Sequence, residues 1–307
     1  MSIERSGVSQ PLPRPLALAA LVLSYGRMDL TARCVASLGE PIRKIYIVDN
    51  SCDAQALAQL RLQLGEDTTC HPPVRMLTPP TNLGFARGIQ FGLDRARMEQ
   101  AWDAYWIMNN DASATPDLIS RMVETFEANG RNALVAPLAS MRGGVSRLWY
   151  HRLFGLVLSR PAWGAFPYLN GACILVPASC TTPHLFDPDF FLYGEDVELS
   201  WRASRLGFPL IEVDARYRHE GNAASQNGSL FYEYHIVRGH LLLAGKLADH
   251  RHERWLFYMG RALSLPIRAT IRSLRKRSLT PWRGLVAAAF HLARPLDPPP
   301  VSPGSTR

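Results

Sequence analysis

From Leu16 to Pro137 short apolar runs alternate with longer amphipathic ones, the pattern of a parallel sheet whose strands are joined by crossover helices. The runs predict strands at Leu16–Ser24, Lys44–Val48, Val74–Leu77, Ala104–Met108 and Ala133–Ala136. Between them, helices are predicted at Met28–Leu38, Ala54–Leu64, Phe85–Met98 and Pro116–Ala128, the last opening on a proline whose missing N–H costs little there. From Ser140 to Tyr168 the sequence is rich in Arg, Gly and aromatics with no clear period, which leaves a loop or a pair of short helices. Order returns with a strand at Ala172–Val176, a helix at Glu195–Leu206 ended by Gly207, a strand at Pro209–Val213 and a helix at Ser229–Leu247. With 307 residues the chain is long enough for one large α/β domain plus an extension, and it shows no internal repeat.

Polar clusters fall where predicted strands end, which in an open α/β sheet is where ligands gather. Val48-Asp49-Asn50-Ser51 closes the second strand, and Asn109-Asn110-Asp111 closes the fourth. His219-Glu220-Gly221 follows the last. Asp49 and Asn50 suit either the edge of a base or ribose, or simply a turn. Asn82-Leu83-Gly84-Phe85-Ala86-Arg87-Gly88 places glycine at a helix start with Arg87 in reach of a phosphate, but it is not the G-x-G-x-x-G dinucleotide fingerprint. One carboxylate, Asp111, suffices for Mg²⁺ or Mn²⁺, which keep several waters and bind substrate phosphates; His219 is a further candidate ligand. Finally, the aromatic run Phe190-Phe191-Leu192-Tyr193 delivers Glu195 and Asp196 to a helix N-terminus. Acids there commonly do no more than complement the helix dipole. Beside the other clusters they become candidates for general-base catalysis.

The net charge of +8 permits nucleic acid, anionic lipid or phosphate-bearing substrates as partners. Much of it lies between Arg251 and Arg283, where Arg254, Arg261, Arg268, Arg272, Arg275, Lys276 and Arg277 are interleaved with Trp255, Phe257, Leu263, Ile267 and Ile271. A basic amphipathic segment of this kind can lie on a membrane surface or pack on protein. Five scattered cysteines without a C-x-x-C pair indicate neither a zinc site nor a disulfide framework, and a reducing cytosol is expected. Met1–Pro15 lacks a signal-peptide pattern, and Leu16–Leu23 is too short to span a bilayer. The resulting division is a disordered stretch 1–14, an α/β domain 15–247, a basic helical extension 248–295 and a disordered tail 296–307.

Taken together and in order, these motifs resemble those of family 2 glycosyltransferases of GT-A fold, and within them the bacterial rhamnosyltransferase and galactofuranosyltransferase-like branch. The resemblance runs from about Leu16 to Leu247. It rests on Ser24-Tyr25-Gly26-Arg27, Val48-Asp49-Asn50-Ser51, Asn82 to Gly88, Asn109-Asn110-Asp111, Asn170-Gly171-Ala172, Phe186-Asp187, Phe190 to Leu199 and His219-Glu220-Gly221. It implies a Rossmann-like mixed sheet flanked by helices, and inverting transfer of a sugar from a nucleoside diphosphate donor, dTDP-rhamnose first and a UDP-sugar second. The acceptor would be a glycan or polyprenyl-linked molecule in polysaccharide or cell-wall synthesis, at the cytoplasmic face of the membrane; no nucleic-acid partner is implied. By the same resemblance Tyr25, Arg27, Asp49, Asn50, Asn82, Gly84, Arg87, Asn109 and Asn110 line the nucleotide-sugar site. Asp111 and His219 hold a divalent metal, Asp196 is the base, and Glu195 shapes the acceptor side. Two positions depart from the family pattern: Gly26 stands where Asn is usual, and Asn109 opens the D-x-D element. The rival readings are a glycosyltransferase-like domain that binds without turnover, and a dehydrogenase or epimerase. The joint presence of Asp111, Asp196 and His219 disfavours the first; the missing Gly-rich fingerprint and the Glu195-Asp196 pair disfavour the second.

Overall fold

The computed structural model describes residues 14–64, 72–141, 144–219 and 227–292. The first half runs β1 (Leu18–Ser24), α1 (Met28–Ala36), β2 (Ile42–Asp49), α2 (Ala54–Leu64), β3 (Val74–Leu77), α3 (Gly84–Glu99), β4 (Ala104–Asn109), β5 (Ala112–Ser113), α4 (Pro116–Ala128) and β6 (Leu134–Pro137). Five short strands follow: β7 (Ala139–Met141), β8 (Gly144–Ser146), β9 (Leu148–His151), β10 (Leu156–Leu158) and β11 (Ala165–Tyr168). Then come β12 (Cys173–Pro177), α5 (Glu195–Arg205), β13 (Leu210–Val213), β14 (Arg218–His219) and the helices α6 (Leu230–Lys246), α7 (Arg251–Lys276) and α8 (Thr280–Phe290).

Seven strands form one sheet in the order β13, β6, β12, β4, β1, β2, β3, mixed as expected, with β12 antiparallel to both neighbours. Helices cover both faces, so its central strands are apolar on both sides, and β1 reads as a continuous hydrophobic run for that reason. Leu18, Ala20 and Val22 of β1 join Trp106, Met122 and Phe126 on one face. Ala19 and Leu21 join Tyr46, Tyr105, Ile89 and Leu93 on the other. Thr115 caps α4 by accepting the Leu118 N–H at 3.2 Å, and Ser229 caps α6 through the Tyr232 N–H at 3.1 Å.

The stretch expected to be a loop or short helices is instead a set of antiparallel strands, with β10 and β11 on either side of β9. Strands of three or four residues turn only one or two side chains inward, here Leu148, Tyr150 and Tyr168, too few to show a period in sequence. Against this small sheet lies the C-terminal layer of α6, α7 and α8, joined by Tyr234, Val237, Leu265 and Ala288. The backbones meet closely: a Cβ on Gly260 of α7 would fall 2.0 Å from the Leu153 carbonyl oxygen. Among the described residues no helix is long and apolar enough to cross a membrane.

Candidate active site

Parallel pairing sets the strand ends abreast. Ser24 stands opposite Asp49, and Leu23 opposite Asn109, so the residues following β1, β2 and β4 share one edge of the sheet. Because β12 runs the other way, its start reaches the same edge, and the Asn109 N–H donates to the Ala172 carbonyl at 2.9 Å. Tyr25 is half-buried just past β1, while Arg27 pairs in bidentate fashion with Asp29, at 3.0 and 2.9 Å.

Asp49 is fully buried and its two oxygens differ. Oδ1 accepts from the Ser51 N–H at 3.0 Å and from its hydroxyl at 2.6 Å, whereas Oδ2 has no hydrogen-bond partner among the described residues. Asn50 is committed to the protein: its amide donates to the Gly84 carbonyl at 2.9 Å and accepts the Leu83 N–H at 3.1 Å. Asn82 accepts the Gly84 N–H at 2.9 Å, so two side chains shape the turn into α3. Arg87 Nε donates to the Pro188 carbonyl at 2.9 Å, tying α3 to the segment that carries the aromatic run.

At the end of β4, Asn110 donates to the Thr31 hydroxyl at 3.1 Å, while the buried Oδ1 of Asn109 has no hydrogen-bond partner among the described residues. Asp111 lies near α1 and the approach to β14. Burial first, and the Asp111 charge after it, push the Cys34 thiol up, and Asp111 adds to the burial and Cys173 effects that raise the Tyr217 phenol. β14 pairs antiparallel with β5, setting the backbone of His219 opposite Ala112, one residue beyond Asp111. The His219 side chain, Glu220 and Gly221 lie outside the described residues. Among those described, no three His, Cys, Asp or Glu side chains cluster as a metal cage. A single carboxylate such as Asp111 could hold Mg²⁺ or Mn²⁺ when substrate phosphates and water complete the shell.

The aromatic run is the structural hinge between this edge and the acid pair. Phe190 and Phe191 are buried, and Phe191 stacks on His235 with ring centroids 4.9 Å apart. Tyr193 and Gly194 both adopt positive φ and turn the chain into α5. Asp196 then receives the Gly171 N–H at 3.3 Å on Oδ2 and the Val197 N–H at 2.8 Å on Oδ1. Burial pushes both acid pKa values up, and Asp196 pushes Glu195 further. One oxygen of Glu195, Oε2, is buried without a hydrogen-bond partner among the described residues. The sheet edge and Asp196 are therefore joined through two adjacent residues, Ala172 bonded to Asn109 and Gly171 bonded to Asp196.

Beside Asp196 opens a cavity of about 170 Å³ walled by Tyr150, Tyr168, Tyr193 and His240. The sequence pointed to none of Tyr150, Tyr168 or His240: two sit on strands too short to recognise, and His240 is a lone histidine within a helix. The run of large apolar and aromatic residues Leu148-Trp149-Tyr150 is the signal that could have found the first of them.

A seven-stranded mixed sheet with helices on both faces and C-terminal helices is the architecture of a GT-A-type fold. A family model described as Glycosyl transferase family 2 matches residues 20–186, more than half of the chain, which therefore belongs to that family of glycosyltransferases. No curated protein sequence matches. The mannosyltransferase PcManGT from Pyrobaculum calidifontis, solved in complex with GDP-Man and Mn²⁺, aligns with a TM-score of 0.59 at 14% identity, over 94% of this chain and 92% of its own. TarS from S. aureus aligns at 0.46 and 10% identity, over 80% of this chain and 43% of its own.

Proposed function

We propose that this glycosyltransferase is an inverting enzyme in which Asp196 is the general base. The attacking acceptor hydroxyl loses its proton to Asp196 as its oxygen bonds the anomeric carbon of the donor, and the nucleoside diphosphate leaves from the opposite face. One observation carries the reading: a half-buried carboxylate held on the Gly171 amide borders a cavity, and Gly171 is next in sequence to Ala172, whose carbonyl anchors the Asn109 edge. A base so raised by burial is nearer the operating pH, where general-base help is worth about 10²–10⁴ in rate.

The nucleotide sugar is assigned to the sheet edge. Asp49, through its unpartnered Oδ2, reads the base or ribose; Tyr25, Arg27, Asn109 and Asn110 border it, and Asn50, Asn82, Gly84 and Arg87 hold the wall in shape. Asp111 and His219 would hold a divalent cation, whose chemistry is to compensate the charge of the leaving diphosphate. The PcManGT complex with GDP-Man and Mn²⁺ supports a metal-assisted nucleotide-sugar reaction. The motif resemblance makes dTDP-rhamnose the first donor to try and UDP-sugars the second, with a glycan or polyprenyl-linked acceptor. The exposed apolar residues and basic ends of α7 suit attachment to the inner face of an anionic membrane. The test is to offer UDP-, dTDP- and GDP-sugars with Mn²⁺ or Mg²⁺ and identify the nucleoside diphosphate released. Release of none, with or without acceptor, defeats the proposal.

A further inference from the structure

Arg261 of α7 is fully buried, and among the described residues no carboxylate pairs with it. Its Nη1 donates to the Arg152 and Leu153 carbonyls, both at 2.6 Å, its Nε to the His240 carbonyl at 3.2 Å, and its Nη2 to the Tyr150 hydroxyl at 3.2 Å. A guanidinium only donates, so the Tyr150 oxygen accepts here and its own proton needs another acceptor. That acceptor is His240 Nδ1, 2.9 Å away, against whose ring Tyr150 stacks. With the phenol proton given to Nδ1, the chain runs from Arg261 to Tyr150 and from Tyr150 to His240. With Nδ1 accepting, the neutral imidazole carries its proton on Nε2. Burial, reinforced by the Arg261 and Arg268 charges, holds His240 down at about 3, so the ring is neutral at physiological pH.

His240 and Asp196 line the same cavity, together with the rings of Tyr150, Tyr168 and Tyr193. Among the described residues no Lys or Arg lines it, and the donors of Arg261 are turned to carbonyls and to Tyr150. A phosphate placed there would meet the Asp196 carboxylate without a counter-charge. Aromatic faces, one fixed donor and one acceptor instead match the apolar face and hydroxyls of an uncharged sugar. Resting on the function proposed above, we propose that this cavity is the acceptor subsite for a neutral sugar ring. Asp196 accepts the proton of the attacking hydroxyl, and His240 Nε2–H donates to an oxygen of the same ring. Arg261 is a positioning residue that acts through Tyr150, and whatever carries the acceptor sugar lies outside the cavity.

Two readouts test this. Nitrogen NMR of the intact chain labelled at histidine should show His240 as the neutral Nε2–H form from pH 6 to 8, and Tyr150→Phe should abolish that bias; an Nδ1–H form in the wild type overturns the chain of donors. Methyl glycosides of glucose, galactose, mannose and rhamnose serve as neutral probes, and citronellyl phosphate as the charged one. His240→Ala should raise the KM of the accepted glycoside roughly tenfold, the scale of one lost hydrogen bond, with donor KM unchanged, and His240→Gln should restore most of it. An unchanged acceptor KM, or use of citronellyl phosphate in place of the glycosides, overturns the subsite. Saturation-transfer NMR reads glycoside binding without turnover. Binding without any nucleoside diphosphate release defeats the proposed function alone, whereas donor hydrolysis without glycoside binding defeats the subsite alone.

Discussion

The carbonyl oxygen of Phe191 lies 2.5 Å from the place a Cβ on Gly84 would take, and it accepts the Phe85 N–H at 2.7 Å. The turn into α3 and the segment leading to Asp196 are thus locked together at a point where only glycine fits, at φ +73°. Gly84→Ala is expected to cost about 2–4 kcal/mol, from a strained backbone and a clash with fixed main chain, and to lower turnover along with stability. Urea unfolding curves and kcat for the variant check this; a midpoint like that of wild type contradicts the interlock.

Asp196→Asn should leave the fold and donor binding nearly intact while lowering kcat at least about a hundredfold, as removal of a general base does. The wild-type rate should also carry an acid limb. A base works only when deprotonated, and burial raises Asp196, so kcat/KM should fall as pH drops through a value above the ordinary carboxylate range. Rate measurements from pH 5 to 9 on both proteins decide the point, since the limb should vanish in the variant.

Asp111→Ala should weaken donor binding chiefly when Mn²⁺ is present, because it removes a carboxylate proposed to hold the cation against the diphosphate. His219→Ala should act in the same direction, less strongly. Calorimetric titration with the nucleoside diphosphate, with and without Mn²⁺, distinguishes them from wild type; equal affinities place the metal elsewhere.

Glu233 is fully buried in α6, and Arg268 and Arg272 of α7 both pair with it. Glu233→Gln leaves those arginines without their anion and is expected to destabilise the protein by about 3 kcal/mol, the lower end for a broken buried pair, since both arginines keep some solvent contact. Denaturant unfolding measures it.

Membrane attachment makes a narrower prediction than the sequence suggested. Arg261 is buried, and the charges of the partly exposed Arg268 and Arg272 are offset by Glu233, so these three add little attraction to lipid. The outward groups are Arg251, Arg254, Arg275, Lys276, Arg277 and Arg283, beside the exposed Leu256, Leu263, Ile267 and Leu274. Each surface cation is worth about 1 kcal/mol at an anionic bilayer. Wild type should pellet with phosphatidylserine-rich vesicles at low salt and not at high salt, and Leu263→Glu with Ile267→Glu should abolish pelleting. Failure of the wild type to pellet, or unchanged pelleting by the double variant, removes the membrane role.

Period and punctuation alone determined the repeating strand–helix frame: α2, β3 and α4 fall where the sequence places them, and most other elements shift by a residue or two. Asp49, Asn109 and Asp196 could be singled out because strand ends and helix starts are local events, written in adjacent residues. The tertiary structure decided what those residues touch. Asn50 proved to clamp Leu83 and Gly84, because β2 and α3 meet only in the folded sheet. The strands between Ala139 and Tyr168 take their identity from one another, each being too short to carry a pattern. Arg261 read as one of many surface cations, since nothing near it in sequence announces Tyr150, Arg152 and Leu153, more than a hundred residues earlier. Periodicity reports which face of an element is apolar; only packing determines which face is covered and what a buried charge will find there.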